Sequence, residues 1–355
     1  KLGLFWGAFF IVFNSVVAHS TTESTVPRIV NPAIDLKSLL VEQPTPLKRM
    51  SQGALASPVS GNAVALVETD EFYTLYSFNG LIVDNTGVQK LTDQAWFAQI
   101  PKSVKSARLP SVLNQLHWQS LPNVPSEQQQ KGRYVTASTA IEHNIYLLGG
   151  YSTNPVKNVT RHPESQNISD FYQFDSQHNS YVKLENLPIA VDDAIMVSYR
   201  DRYIYVIAGW HKHAPINLVQ VFDTHRNQWF QASPLPNAGR HGHAGGIYEN
   251  QIIFCDGQQM NQQFALPPRP SIAQSCLIGS IDLIDPSKIA WSEWAHPSEH
   301  GRFRMLTASD PNSGDVWFVG GAVQSFDIFG NTSEQKSAMP SAEIWRYNFT
   351  NNTWK

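Results

Sequence analysis

The chain has 355 residues, of which 42% are hydrophobic and 15% are charged, and its formal net charge is -3. This length and apolar content allow one large all-β domain as readily as two smaller domains. The small net charge leaves no broad basic surface that would attract nucleic acid or an anionic membrane. We therefore predict neither nucleic acid nor, beyond an N-terminal signal segment, a membrane as a partner.

The N-terminus has the features of a secretory signal peptide over residues 1–20. Lys1 supplies a positive charge, an apolar run continues to Val17, and the small residues Ala18 and Ser20 follow. The alternative is an uncleaved anchor, although the apolar run is shorter than the ~20 residues that span a bilayer. The sequence thus predicts a secreted or periplasmic protein. Residues 21–60 contain Pro, Ser and Thr with little periodicity, which predicts a linker and one strand at most.

A repeat begins after this segment. Four hydrophobic runs stop on small residues: IYLLGGY at 145–151, YIYVIAGW at 203–210, QIIFCDG at 251–257 and DVWFVGG at 315–321. A second strand pair follows each stop, with a polar turn before an aromatic residue. We expect these aromatic side chains to fill the space between neighbouring sheets; they are Tyr181, Trp229, Trp291 and Trp354.

These patterns resemble the kelch repeat, which has a hydrophobic strand ending in Gly-Gly and then a spaced Tyr or Phe and a Trp. The resemblance covers residues 132–355 in four units, and a degenerate unit precedes them at 62–124. Two stops depart from the pattern, with Ala-Gly at Gly209 and Asp-Gly at Gly257. The resemblance implies an all-β, kelch-type β-propeller over residues 61–355 with one four-stranded blade per unit. Five visible units predict a six-bladed ring whose last blade is cut off or completed by the N-terminal segment, and seven blades are the alternative.

Cys255 and Cys276 are the only cysteines and fall in one repeat, which predicts a disulfide in an exported protein. Two cysteines without a nearby Cys/His quartet do not make a structural zinc site. His211 and His213 have a spacing that could bind a metal, but no third ligand is identifiable. The sequence therefore predicts neither a metal nor a cofactor.

The first strand of each propeller blade lies against the axis, so its leading residues should surround one mouth of the channel. Counting back from the glycine stops, with an allowance of two extra residues at DPNSG in the last unit, places one column at Arg133, Asp192, Arg240 and Arg302, and the next at Tyr134, Asp193, His241 and Phe303. His243 and Arg304 lie close by, and Trp210 and His211 belong to a loop expected to overhang the mouth. One interpretation is a substrate-binding pocket in which the guanidinium groups converge with Asp192. The other is that these side chains tie neighbouring blades together.

The overall layout is similar to that of N-acetylneuraminate epimerase and related mutarotase-like kelch proteins. That resemblance implies reversible opening or inversion at the anomeric centre of a sugar acid, with an acid–base pair and an arginine for the carboxylate. Arg240 or Arg302 would hold the carboxylate, and the base would be one of Asp192, Asp193, His241 and His243. The alternative is a non-catalytic module that binds a carbohydrate or a protein. A copper site like that of galactose oxidase is disfavoured because it needs a cysteine crosslinked to a tyrosine, whereas we expect Cys255 to pair with Cys276.

Overall fold

The computed structural model describes residues 55, 58–83, 89–105, 108–113, 115–127, 132–153, 165–261, 269–325 and 339–355. All of these residues belong to one compact unit, Val41–Lys355. They form antiparallel β-sheets and a single short helix, so the prediction of an all-β propeller is confirmed. The predicted signal peptide and most of the predicted linker lie outside the described residues, and both stay predictions.

Five four-stranded sheets form five successive blades. Blade 1 and its flanking elements comprise β1 (Val59–Ser60), β2 (Ala63–Glu68), β3 (Phe72–Phe78), β4 (Leu81–Val83), β5 (Gln89–Leu91), β6 (Ala95–Pro101), α1 (Leu109–Leu113) and β7 (Gln119–Leu121). Blade 2 comprises β8 (Ala137–Ile141), β9 (Asn144–Leu148), β10 (Tyr151–Thr153), β11 (Ser165–Asn167), β12 (Phe171–Asp175) and β13 (Ser180–Lys183). Blade 3 comprises β14 (Ile195–Tyr199), β15 (Tyr203–Ile207), β16 (Trp210–His211), β17 (Ala214–Pro215), β18 (Val219–Asp223) and β19 (Gln228–Ala232).

Blades 4 and 5 repeat this plan. Blade 4 comprises β20 (Arg240–His241), β21 (Ala244–Tyr248), β22 (Gln251–Cys255), β23 (Gln258–Asn261), β24 (Arg269–Ile272), β25 (Cys276–Ile281) and β26 (Ile289–Trp294). Blade 5 comprises β27 (Leu306–Asp310), β28 (Asp315–Val319), β29 (Ile344–Asn348) and β30 (Thr353–Trp354). The blade sheets have the orders β2-β3-β6-β7, β8-β9-β12-β13, β14-β15-β18-β19, β21-β22-β25-β26 and β27-β28-β29-β30. The first strand of each blade neighbours the first strand of the next, which arranges the sheets around a central channel.

The glycine stops end the second strand of a blade where the backbones come too close for a side chain. Gly257 has φ +85°, and a Cβ there would lie 2.7 Å from the Cβ of His243 and 2.8 Å from the carbonyl oxygen of His241. Only glycine both adopts this left-handed backbone conformation readily and leaves room for so close a contact between the two backbones. The stop is therefore a packing requirement between the first two strands of a blade.

The four aromatic residues predicted to fill the space between sheets do so, and each also bonds to the linker that follows the preceding blade. The Tyr181 hydroxyl donates to the Pro122 carbonyl at 2.9 Å. The tryptophan indole N–H groups donate in the same way: Trp229 to Glu185, Trp291 to Ser233 and Trp354 to Ala295. A large, at least partly buried ring with a satisfied polar atom thus joins each pair of successive blades.

The predicted disulfide is confirmed. Cys255 and Cys276 are paired residues of β22 and β25, and their sulfur atoms are bonded. Replacing both with alanine should lower the free energy of unfolding by about 3 kcal/mol, because the bond closes a loop between residues 21 positions apart. Urea unfolding of the oxidised protein and the double variant measures this difference. Two alkylatable thiols in undenatured, unreduced protein would contradict the pairing.

The outer faces of blade 1 and blade 5 carry exposed apolar residues. In blade 5, Leu306, Val319 and Ile344 form one row across the sheet, and Leu306 is 64% exposed. In blade 1, Val64 is 52% exposed and Leu66 is 48% exposed. Apolar faces of this kind are what a further blade would cover. Five blades lie in the described residues, and the six-bladed ring stays a prediction.

Candidate functional site at the channel mouth

In blades 2 to 5, the leading residue is held at the channel mouth by an antiparallel pair with the residue that follows the glycine stop. The four pairs are Tyr134 with Tyr151, Asp192 with Trp210, His241 with Gln258 and Phe303 with Ala322. Strand pairing therefore sets which side chain occupies this position.

The predicted alignment is wrong by one residue in blade 3, where Asp192 was grouped with Arg133, Arg240 and Arg302. The hairpin turn between the first two strands has two residues in blades 2 and 4 but three in blade 3, residues 200–202. The extra residue moves the leading strand by one position relative to the stop. Asp192 consequently matches Tyr134, His241 and Phe303. The allowance of two extra residues in blade 5 is correct, because its turn has four residues.

The next residue of each blade adopts a left-handed backbone conformation, and together these residues line the mouth. Their φ values are +60° for Gly61, +50° for Val135, +53° for Asp193, +59° for Gly242 and +56° for Arg304. Backbone hydrogen bonds connect them from blade to blade: Val135 N–H to Gly61 O, Asp193 N–H to Val135 O, Gly242 N–H to Asp193 O and Arg304 N–H to Gly242 O. A β-branched or long residue seldom takes this conformation. The hydrogen-bonded belt is what stabilises it here.

An ion pair crosses the mouth between blade 3 and blade 5. Arg304 Nε donates to Asp193 at 2.8 Å and Arg304 Nη2 at 2.6 Å, and Arg304 Nη1 donates to the Tyr134 hydroxyl of blade 2 at 3.1 Å. His241 Nδ1 lies 3.4 Å from Asp193, and its Nε2 lies 2.7 Å from Gln258 Oε1. One hydrogen-bonded chain thus links residues of four blades.

The pKa values of the two adjacent carboxyl groups at the mouth are shifted in opposite directions. Burial opposes the charged form of Asp193, but Arg304 and His241 outweigh it and hold the pKa of that carboxyl below its usual range. Burial raises the pKa of Asp192 well above its usual range, and the neighbouring Asp193 charge adds to the shift. Asp192 accepts one hydrogen bond from Asn167 Nδ2 at 2.6 Å. Asp193 therefore ionises more readily than an ordinary carboxyl group, and Asp192 less readily.

The three arginines predicted to converge on the channel mouth instead bond within and between the blades. The Arg133 guanidinium bonds to Asp170 at 2.7 Å and to the Pro125 carbonyl at 2.8 Å. Arg240 donates to the Ser275 hydroxyl at 2.8 Å and to backbone carbonyls. Arg302 donates to the Gly320 and Glu343 carbonyls and lies 3.5 Å from the centre of the Trp345 ring. Their residues precede the mouth position, which turns their side chains away from the axis. This corrects the predicted convergence.

The predicted histidines and tryptophan have different surroundings. The His243 ring is directed between blades, where Nε2 donates to the Ile207 carbonyl at 3.0 Å, and burial lowers its pKa to about 3. His211 Nδ1 lies 2.7 Å from the Ala190 carbonyl oxygen, and His213 is exposed. The Trp210 ring stands 5.0 Å from the His241 ring, which in turn stands 5.3 Å from the Phe303 ring. Trp210 and His241 therefore pack beside Asp193, although the residues that line the channel cavity include His243 and neither of these two.

Three residues of this region were missed from the sequence. Gln258 directly follows a glycine stop, and that position alone could have indicated it. Asn167 follows an insertion of variable length, so no spacing identifies it. Asp256 replaces the first glycine of a stop, and its carboxylate accepts from the Arg302 backbone N–H and from His296 Nε2, both at 2.8 Å. The departure from Gly-Gly was the signal for Asp256.

A cavity of about 380 Å³ lies in the channel and is lined by residues of all five blades. Its polar wall includes Asp193, Arg304 and Tyr134, and the rest is largely small and aliphatic. This size and composition are typical of sites for small molecules. Within the described ranges, no group of three or more His, Cys, Asp or Glu side chains could hold a metal ion. No helix in that same part of the chain has the length and apolar character needed to cross a membrane.

Comparisons with known proteins agree with the repeat pattern. The sequence model of the Kelch motif family matches residues 197–236, which lie mostly in blade 3. The human Kelch repeat and BTB domain-containing protein 2 is 29% identical over 125 residues, covering 32% of this chain and 19% of that protein. The chain thus matches less than a fifth of that relative's length. A solved structure titled "Structure of YjhT" aligns with a TM-score of 0.57 and 15% identity over 84% of each chain, and this likeness concerns the fold alone.

Proposed function

We propose that this kelch-type β-propeller binds a carbohydrate at the channel mouth. The observation that carries the proposal is the Asp193–Arg304 ion pair, which lies across the mouth of a cavity of small-molecule size. Sugar hydroxyl groups both donate and accept hydrogen bonds, and they match a site that offers a carboxylate beside guanidinium and phenol donors. Ala194 and Ile195 of the cavity wall supply apolar surface for the C–H face of a sugar.

A second candidate is a sugar epimerase or mutarotase that uses the same site. Opening a sugar ring at the anomeric carbon needs one group that gives a proton and one that takes a proton. Asp192 and Asp193 are adjacent carboxyl groups whose pKa values are shifted in opposite directions, as acid–base pairs require. The structure leaves Arg240 and Arg302 bonded elsewhere, so this candidate now depends on Arg304 for contact with the substrate.

Export of the protein is part of the proposal. The predicted signal peptide motivates it, and the Cys255–Cys276 disulfide supports it because such bonds persist mainly in oxidising compartments. Expression of the full sequence followed by N-terminal sequencing of the protein outside the cytoplasm tests export. Retention of the full-length chain with two free thiols in the cytoplasm would contradict it.

Binding and catalysis can be separated with the same ligands. Isothermal titration against neutral sugars, uronic acids and N-acetylneuraminate measures affinity, and exchange NMR measures the rate at which the α and β anomers interconvert. Binding with accelerated exchange supports the mutarotase, and binding without it supports a non-catalytic module. If no sugar binds, the carbohydrate proposal fails and a protein ligand becomes the better candidate.

Tyr134→Phe should weaken sugar binding by about tenfold, because it removes one hydroxyl hydrogen bond at the mouth. Tyr181→Phe is the matched control, since it removes a hydroxyl that bonds to the Pro122 carbonyl in a linker between blades. Titration of both variants with the tightest sugar of the panel measures the effect. Equal weakening in the two variants would place the ligand elsewhere.

A further inference from the structure

We propose that the carbohydrate bound at the channel mouth is an uncharged sugar rather than a sugar acid, and that Asp193 sets this preference. The inference rests on the proposed function and names the ligand class of the same site. It follows from where the positive charges of the described residues are placed and from what each of them already binds.

Recognition of a carboxylate needs a cationic group with donors directed at the ligand. Arg133, Arg240 and Arg302 are bound inside the blades, each with its guanidinium against carbonyl oxygens or a carboxylate. They are almost wholly buried, with exposed fractions of 2%, 2% and 1%. None of the three is among the residues that line the cavity.

Among the described residues lining the cavity, Arg304 is the one with a permanent positive charge. Asp193 neutralises that charge in a close two-point contact, with Nε at 2.8 Å and Nη2 at 2.6 Å from one carboxylate oxygen and Nε at 3.1 Å from the other. The remaining terminal nitrogen, Nη1, donates to the Tyr134 hydroxyl. The pair therefore presents donors and acceptors to the channel with no net charge.

A ligand carboxylate would approach the Asp193 carboxylate as well as Arg304. It would lose its hydration and gain little in return, because Asp193 already neutralises the charge of Arg304. It could bind well only by displacing Asp193 and leaving a second buried charge unpaired. A neutral sugar hydroxyl meets neither cost, because it can donate to Asp193 and accept from Arg304 or Tyr134. The ion pair thus acts as a repulsive element against acids while it still recognises hydroxyl groups.

The test compares sugars that differ only in a carboxylate. The pairs are D-glucose with D-glucuronate and D-galactose with D-galacturonate, and each sugar is titrated into the wild-type protein at low and high salt; N-acetylneuraminate is added as a further acid. We expect the neutral member of at least one pair to bind ten or more times tighter than its acid, with little dependence on salt. Tighter binding of the acid, weakened by salt, would overturn the inference and leave the carbohydrate proposal intact. If no member of either class binds, the carbohydrate proposal itself fails.

The role of Asp193 is tested by removing its charge. Asp193→Asn should shift the ratio of acid to neutral affinity at least tenfold toward the acid, because Arg304 is no longer compensated. The matched control is Asp175→Asn, which changes the net charge equally at the end of β12, on the far side of blade 2 from the mouth. The double variant Asp193→Asn/Arg304→Gln should restore the preference for the neutral sugar. If Asp193→Asn folds and its ratio of acid to neutral affinity equals that of the wild type, Asp193 does not set the preference. If the variant does not fold, the titrations of the wild-type protein decide whether the site prefers neutral sugars.

Discussion

Asp192→Asn and Asp193→Asn are expected to change stability in opposite directions at pH 7, although the two residues are adjacent. Folding brings Asp192 into a buried site that favours the neutral acid, so an uncharged amide should raise the midpoint of unfolding. Asp193 is the charge partner of Arg304, and its replacement should lower the free energy of unfolding by about 3 kcal/mol.

The pH dependence of the two effects follows from the direction of each pKa shift. The folded protein holds a proton on Asp192 above the ordinary carboxyl pKa of about 4, so the wild type loses stability relative to Asp192→Asn as the pH rises above that value. The folded protein keeps Asp193 ionised, so this contribution is present above about pH 4 and is lost as the pH falls below it. The advantage of the wild type over Asp193→Asn should therefore shrink in acid.

Urea unfolding at several pH values between 3 and 8 measures both differences. Asp70→Asn, in an exposed turn of blade 1, is the control and should follow the wild type throughout. A loss of stability in Asp192→Asn at pH 7 that equals the loss in Asp193→Asn would show that both carboxyls are ionised. That result would also remove the acid–base pair on which the mutarotase candidate depends.

Arg133→Met is expected to lower the free energy of unfolding by about 3–5 kcal/mol, because it leaves the Asp170 carboxylate buried without its charge partner. Both side chains of this pair are almost wholly buried, with exposed fractions of 2% and 1%. Sugar binding, measured below the melting temperature, should be unchanged, since Arg133 lies away from the cavity lining. The variant thus separates a structural arginine from a ligand-binding one.

Two controls define this result. Arg133→Met/Asp170→Leu removes both charges and should recover much of the lost stability, because no unpaired charge remains. Lys288→Met breaks an exposed ion pair with Asp285 and should not measurably change the unfolding midpoint. If Arg133→Met has normal stability but binds sugar more weakly, the Arg133 side chain faces the channel, which contradicts the orientation described above.

Local patterns in the sequence were sufficient to predict the blades. The stop at Gly257 follows from a left-handed backbone in close contact with the first strand, and the aromatic residue Trp229 follows from the gap between sheets. The pairing of Cys255 with Cys276 was also predictable, because the two residues face each other on adjacent strands of one repeat. These features depend on residues of a single repeat or of neighbouring repeats.

The channel site depends on contacts between residues of different repeats. Arg304 reaches Asp193 across the channel although 111 positions separate them, and spacing within a repeat does not predict such a pair. The direction of the Arg133 side chain, away from the axis, was equally hard to predict from the sequence. The side chain of the next residue points the other way, so an alignment that is wrong by one residue exchanges the inward and the outward position. The sequence therefore identified the residue types of the mouth but not their partners.

The three-residue turn of blade 3, residues 200–202, lies at the opposite end of the hairpin from the channel mouth. Deletion of one residue from this turn would leave a two-residue turn like those of blades 2 and 4, with Tyr199 still opposite Tyr203 and Asp192 still opposite Trp210. In evolutionary terms, this remote loop can gain or lose a codon while the residues that form the site keep their places. A comparison of related propellers that counts residues from the glycine stop and ignores turn length would then equate residues that occupy different places.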